Sequence, residues 1–137
     1  PVRFYERLEP AVFVLRLVPG MRADIIPLLA PHYRALVLES FGVGGLPGGE
    51  HGEMFAALRR WCESGRLAVF TTQVPHEGCD LAVYEVGRAV GELPGVLEAR
   101  DMTPEAVAVK LMWALGQTED REKAARLFET PIEYDIM

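Results

Sequence analysis

The chain has 137 residues, half of them apolar and a quarter charged, which suits one globular domain with its own core and excludes a disordered chain. Twenty acidic against 14 basic side chains give a formal charge of −6, with no basic block longer than Arg59-Arg60. A nucleic-acid surface needs clustered cations to displace counterions from phosphates, so no nucleic-acid partner is expected. No apolar run reaches the roughly 20 residues that span a bilayer and no basic-then-apolar leader opens the chain, so no membrane partner is expected either. Pro1 stands where an initiator Met would; a cut from something longer or simple Met removal both give that start.

Along the chain, apolar runs alternate with amphipathic ones, the pattern of βαβ units on a parallel sheet. Ala11–Leu17 (AVFVLRL) reads as a buried strand, and Pro19-Gly20 turns the chain. Asp24 is placed to cap a short helix through Ile25, Ile26, Leu28 and Leu29, with Pro27 in its first turn. Ala35–Leu38 is the second strand. His51–Ser64 sets Met54, Leu58 and Trp61 at helical spacing, and Gly65 ends that helix. Leu67–Thr72 (LAVFTT) is the third strand.

From Gln73 to Arg100 the periodicity is mixed and glycine and proline are frequent, which predicts loops around a short strand or helical turn. Order returns at Asp101-Met102-Thr103-Pro104-Glu105. Thr103 is an N-cap, Pro104 suits the first helical position, and Met102 and Val107 are spaced as a hydrophobic staple. That helix is expected to end at Leu115–Gly116, and Thr118 to cap a last one. Three strand–helix units with a helical tail predict an α/β fold: a three-layer Rossmann-like (flavodoxin-like) domain with a small, mostly parallel sheet and helices on both faces. In such folds ligands meet the loops beyond the carboxyl ends of the strands, here Pro19-Gly20, Glu39–Gly49 and Thr72–Asp80.

The glycine run Gly42-Val43-Gly44-Gly45 superficially suggests a phosphate loop. A dinucleotide fingerprint requires a third spaced glycine, and Pro47 stands in its place. No Walker lysine follows, and Glu39 would repel a phosphate. His32, His51 and His76 share no helical face, so no metal is expected. Ser40 lacks a nucleophile elbow, and Thr71 and Thr72 fit β-propensity. Cys62 and Cys79 lack metal spacing and read as free thiols in a reduced, cytoplasmic setting, although two cysteines also permit a disulfide. Asp80 sits in a glycine-containing loop at the ligand-facing edge, where composition alone makes it a turn residue.

Several stretches together resemble one family. "VPGM" (Val18–Met21), "ALVLESFGVGGLP" (Ala35–Pro47) and "FTTQ" (Phe70–Gln73) are followed by "CDLAVYEVGRAV" (Cys79–Val90) and "DMTPEAVAVKLMWALGQT" (Asp101–Thr118). In this order they resemble the C-terminal domain of type I, cytoplasmic L-asparaginases. The resemblance implies an amidohydrolase that converts asparagine to aspartate and ammonia without metal or organic cofactor, through attack by a threonine hydroxyl. It also implies a homo-oligomer in which the site forms between the N-terminal domain of one subunit and the C-terminal domain of its partner. The family's T-G-G-T-I and T-D-T type motifs are missing here, and Lys110 and Lys123 fall in predicted helices. The chain is therefore expected to be the smaller domain without its catalytic half, and inactive alone.

By the same resemblance, counting back from Gly87 in "YEVG" places on Asp80 the acidic residue that engages the substrate's α-ammonium group across the subunit interface. A carboxylate there pairs with the amino acid's positive charge. Gly44 and Gly45 fall on the loop that approaches the substrate, and Gly45 replaces the Asn of many members. An allosteric asparagine pocket of some type I enzymes has Arg and Cys where this chain has Glu39 and Val74, so that regulation is not expected. Two other readings stand beside this one: a stand-alone amino-acid-binding module without catalysis, and a subunit of an amidotransferase that releases ammonia for tRNA-linked chemistry.

Overall fold

Ala35–Ser40 and Leu67–Thr72 each open with four successive apolar residues, so both faces of each must be covered, and that requirement sets the architecture. The computed structural model describes residues 2–41, 45–72 and 85–136. In chain order it contains β1 (Val12–Arg16), α1 (Ile25–Leu29), β2 (Ala35–Ser40), a 3-10 turn (Gly49–His51), α2 (Glu53–Glu63) and β3 (Leu67–Thr72). Then come α3 (Glu85–Gly91), β4 (Val96–Glu98), α4 (Pro104–Gln117) and α5 (Arg121–Glu129).

The strands form one parallel sheet in the order β1-β2-β3-β4, with Phe13 beside Leu36, Leu36 beside Ala68, and Ala68 beside Val96. Every crossover therefore steps in the same direction. Crossovers of parallel strands are right-handed, so α1, α2 and α3 fall on one face of the sheet. There Ile26, Leu29, Met54, Leu58, Trp61 and Val90 pack with Leu36, Leu38, Ala68 and Phe70. The alternate strand residues Ala35, Val37, Leu67, Val69 and Leu97 point the other way, and α4 and α5 cover them with Val107, Leu111, Ala114 and Phe128. The expected three layers are present, with four strands rather than three.

β4 is a short strand of the kind expected in the mixed stretch; three residues are too few for a period of two to fix its place in advance. β1 is an edge strand rather than a buried one, and Val14 is 42% exposed. Asp24 precedes α1 without capping it: its backbone is already helical (φ −64°, ψ −14°), and its carboxylate pairs with the Arg22 guanidinium at 2.5 Å. α2 begins at Glu53 after the 3-10 turn, and Gly65 with φ +89° turns the chain out of it. Thr103 Oγ1 accepts from Ala106 N–H at 3.3 Å as expected, but the cap of α5 is Asp120. Asp120 accepts from the N–H groups of Glu122 and Lys123, whereas Thr118 Oγ1 accepts from Asp120 N–H.

α4 also runs past Gly116, to Gln117. Gly116 is there for a different reason: a Cβ on it would lie 2.6 Å from the carbonyl oxygen of Arg7. The N-terminal segment passes over α4 at this point, held by Gln117 Nε2 donating to Arg7 O and Glu9 N–H donating to Met112 O, both at 2.9 Å. Tyr5 stands edge-on to Trp113.

At the other end of the chain, Ile136 is buried and the tail is pinned by Lys110, a buried ammonium on α4. Lys110 Nζ lies 2.8 Å from Asp135 Oδ2 and donates to Thr130 O at 2.8 Å, with the Phe128 ring beside it. Desolvation pushes the Asp135 carboxyl upward. The hydrogen bonds from Ile132 N–H and Lys110, with the ammonium charge, outweigh it and hold the pKa below the usual carboxylate value.

Candidate site at the carboxyl edge of the sheet

The parallel order brings the ends of β2 and β3 side by side, with Ser40 opposite Thr72. Ser40 is fully buried, and its hydroxyl donates to Thr71 O at 3.0 Å. This bond ties the two strand ends together and directs the Ser40 proton to a carbonyl, an arrangement that serves structure rather than nucleophilic attack. Thr71 is likewise buried and Thr72 partly so, so the threonines end the strand as their β-propensity predicts.

Beyond Ser40 the chain turns sharply. Phe41 and Gly45 form an isolated antiparallel bridge in which Gly45 N–H donates to Phe41 O at 2.8 Å. A Cβ on Gly45 would fall 2.4 Å from the Phe41 ring and 2.6 Å from the Phe41 carbonyl oxygen. The ring could rotate away, but the carbonyl is part of the turn. Gly45 is therefore demanded by the turn itself. Leu46 then enters the core, and Gly48 and Gly49 take positive φ values of 78° and 68° to lead into the 3-10 turn.

Phe41 is the residue that sequence reasoning overlooked here. The signal was an aromatic directly before a glycine run; its ring leaves no room for a side chain at Gly45. Gly45→Asn is expected to disrupt the Phe41–Gly45 turn and lower stability by about 1–3 kcal/mol. Phe41→Ala is expected not to rescue it, because the carbonyl remains. Thermal unfolding of the two single variants and the double variant checks both statements.

Of the residues expected to meet substrate, Gly45 alone is placed. Gly44 and Asp80 lie outside the described residues, as do His76, Cys79 and Val74. Glu39 is at the end of β2, paired in register with Arg16 and Thr71. Among the described residues no group of three or more His, Cys, Asp or Glu could hold a metal ion. Cys62 is buried; desolvation pushes its thiol up to about 11 against the opposing charge of Arg121, so it is an inert core thiol at neutral pH. Among the described residues no helix is long and apolar enough to cross a membrane. The described part of this edge offers a shaped glycine turn and no nucleophile–base pair.

The model of the glutaminase/asparaginase C-terminal domain matches residues 11–128, from the start of the sheet to α5. The chain belongs to that family. An L-asparaginase from Thermococcus kodakarensis is 38% identical over 97% of this chain, which spans 40% of that protein. A glutamyl-tRNA(Gln) amidotransferase component from Metallosphaera sedula is 35% identical over 94% of the chain, 28% of its own length. The solved T. kodakarensis L-asparaginase superposes with a TM-score of 0.86 over 96% of this chain and 39% of its own. L-asparaginase I from Vibrio cholerae superposes with a TM-score of 0.82 at 28% identity, covering 94% of this chain and 38% of its own. This glutaminase/asparaginase C-terminal domain thus spans about two-fifths of these L-asparaginases, and less of the amidotransferase protein.

Proposed function

We propose that the domain is the smaller half of an L-asparaginase that hydrolyses asparagine to aspartate and ammonia. Asp80, Gly44 and Gly45 would contact the substrate from across a subunit interface. The observation that supports this most is the match to an L-asparaginase over 97% of the chain but only 40% of that enzyme. The chain also lacks the threonine motifs that the resemblance assigns to the other half. In this reading the larger domain carries the attacking threonine and the oxyanion donors. The smaller domain supplies a carboxylate for the α-ammonium group and a glycine turn that lets backbone come close to the amino acid. No cofactor enters the chemistry, a homo-oligomer supplies the partner domain, and the setting is the cytoplasm. With Glu39 in the position of the effector-binding arginine, asparagine does not act as an allosteric effector.

A chimera tests the reading. The matched part of the T. kodakarensis L-asparaginase is replaced by residues 11–128 of this chain, and ammonia release from asparagine is followed. The chimera is expected to turn over asparagine and the isolated chain to show none. An inactive but folded, oligomeric chimera would count against the assignment, and robust turnover by the isolated chain would overturn it. The match to the amidotransferase component favours a second reading, in which the domain serves ammonia release for tRNA-linked amidation. Ammonia release that depends on glutamyl-tRNA(Gln) would select that reading; the −6 charge and the lack of a basic block do not favour it.

A further inference from the structure

The opposite, amino edge of the sheet holds a second concavity, of about 310 Å³, formed where the chain leaves α1, α2 and α4. Its charged lining is Arg34, Arg66, Arg121 and Glu119, with the His32 imidazole beside them: three guanidiniums against one carboxylate, in a chain whose net charge is −6. Each guanidinium is anchored on a helix-end carbonyl. Arg66 donates from Nη2 to Ala30 O at 2.7 Å and from Nε to Tyr33 O at 3.1 Å. Arg121 donates from Nη1 to Cys62 O at 2.6 Å, and Arg34 from Nη1 to Leu115 O at 3.3 Å.

Capping the negative ends of helices explains why arginines occur here. It does not use up their charge or their donors. Among the described contacts Arg121 commits Nη1 alone. Arg66 gives one further N–H, from Nη1, to Ser64 Oγ, and its guanidinium lies over the Trp61 ring. Arg34 meets Glu9 at 3.4 Å and Glu119 at 3.7 Å. With Glu9 counted, the formal charges of these named side chains still sum to +1. Glu119 is 96% exposed, so its pairing with Arg34 is weak and readily displaced. The carbonyl anchors hold the three forks in place before a ligand arrives, which lowers the ordering cost of binding.

We propose that this amino-edge cavity binds a small dianion carrying two oxyanion groups, phosphate or carboxylate, with Arg34 and Arg121 as the principal contacts. Guanidinium forks match both groups through paired N–H···O bonds. The site lies across the sheet from the candidate substrate site and does not depend on the asparaginase reading.

The test is a titration of the polypeptide carrying this domain with pyrophosphate in one arm and succinate in the other. It is followed by calorimetry and thermal shift at fixed ionic strength, with sodium chloride as the control. Saturable binding is expected in at least one arm, with a dissociation constant of about 1 mM or tighter. The arm that binds more tightly distinguishes phosphate from carboxylate. Arg121→Gln is expected to weaken binding at least about tenfold, whereas Glu119→Gln, an exposed change that leaves the carbonyl anchors intact, is expected to tighten it about three- to tenfold. Arg22→Gln, an exposed change before the start of α1 and outside the cavity lining, serves as the unaffected control. A response no larger than that to sodium chloride, or a Glu119→Gln variant that binds no better, would overturn the proposal.

Discussion

Asp80→Asn, made in the full-length protein that carries this domain, if it is the asparaginase proposed above, or in the chimera, is expected to lower kcat/KM for asparagine by about 100-fold. The change keeps the size of the side chain and removes its charge. A charge-assisted hydrogen bond to a buried ammonium contributes roughly 1.5–3 kcal/mol, and loss at the upper end of that range gives the factor stated. The ammonium is present in both the ground state and the transition state, so the loss is expected mainly in KM, with a smaller fall in kcat from mispositioning. Asp80→Glu should recover part of the affinity by restoring the charge at the wrong length. Steady-state kinetics on the three proteins checks this; an unchanged KM for Asp80→Asn would remove Asp80 from the site.

Lys110→Ala is expected to destabilise the domain by about 3 kcal/mol, measured by denaturant unfolding. The substitution leaves Thr130 O without its donor, Asp135 without its counter-ion and a void beside Phe128. Lys110→Met retains most of the volume and should cost about half as much, which separates the packing of the stem from the charge. The ion pair also predicts a pH dependence. Asp135 has a folded-state pKa below the ordinary aspartate value of 3.8, so its stabilising contribution is complete above that value and is lost as pH falls below it. Lys110→Met should flatten that part of the acid limb. Asp120, whose pKa is also lowered, first by its hydrogen bond from Lys123 N–H, should leave the remainder.

The elements that could be read in the sequence are those whose own residues carry the pattern. β3 matches its expected bounds because four successive residues, Val69 to Thr72, are β-forming, the two before them are apolar, and Gly65 marks its approach. The start of α4 is legible because Thr103, Pro104 and Glu105 act locally, within one turn. What could not be read depends on partners distant in the chain. β4 is a strand because β3 is there to pair with it, and Gly116 is a glycine because Arg7 passes over it. Asp120 outcompetes Thr118 for the cap of α5 by two positions, which is within the fraying of any helix end. At the candidate site, the resemblance singled out Gly45 as standing in place of an Asn, but the cause of the glycine is the ring and carbonyl of Phe41. The amino-edge cavity is built from Arg34 and Arg66, in two connections, and Arg121, at the start of α5, and no local pattern joins them.

The steady order of the strands has a consequence for how such a domain can hold a small molecule. Open α/β sheets make their own ligand crevice where successive crossovers leave in opposite directions and two neighbouring strand ends part company. From β1 to β4 the described strands never reverse, so their carboxyl ends form an unbroken row, joined at its middle by the Ser40 hydroxyl on Thr71 O. A row of this kind is one wall of a pocket. In the proposed function the opposite wall comes from another polypeptide surface, and the affinity of the finished site is then bound up with how firmly the two surfaces are held together.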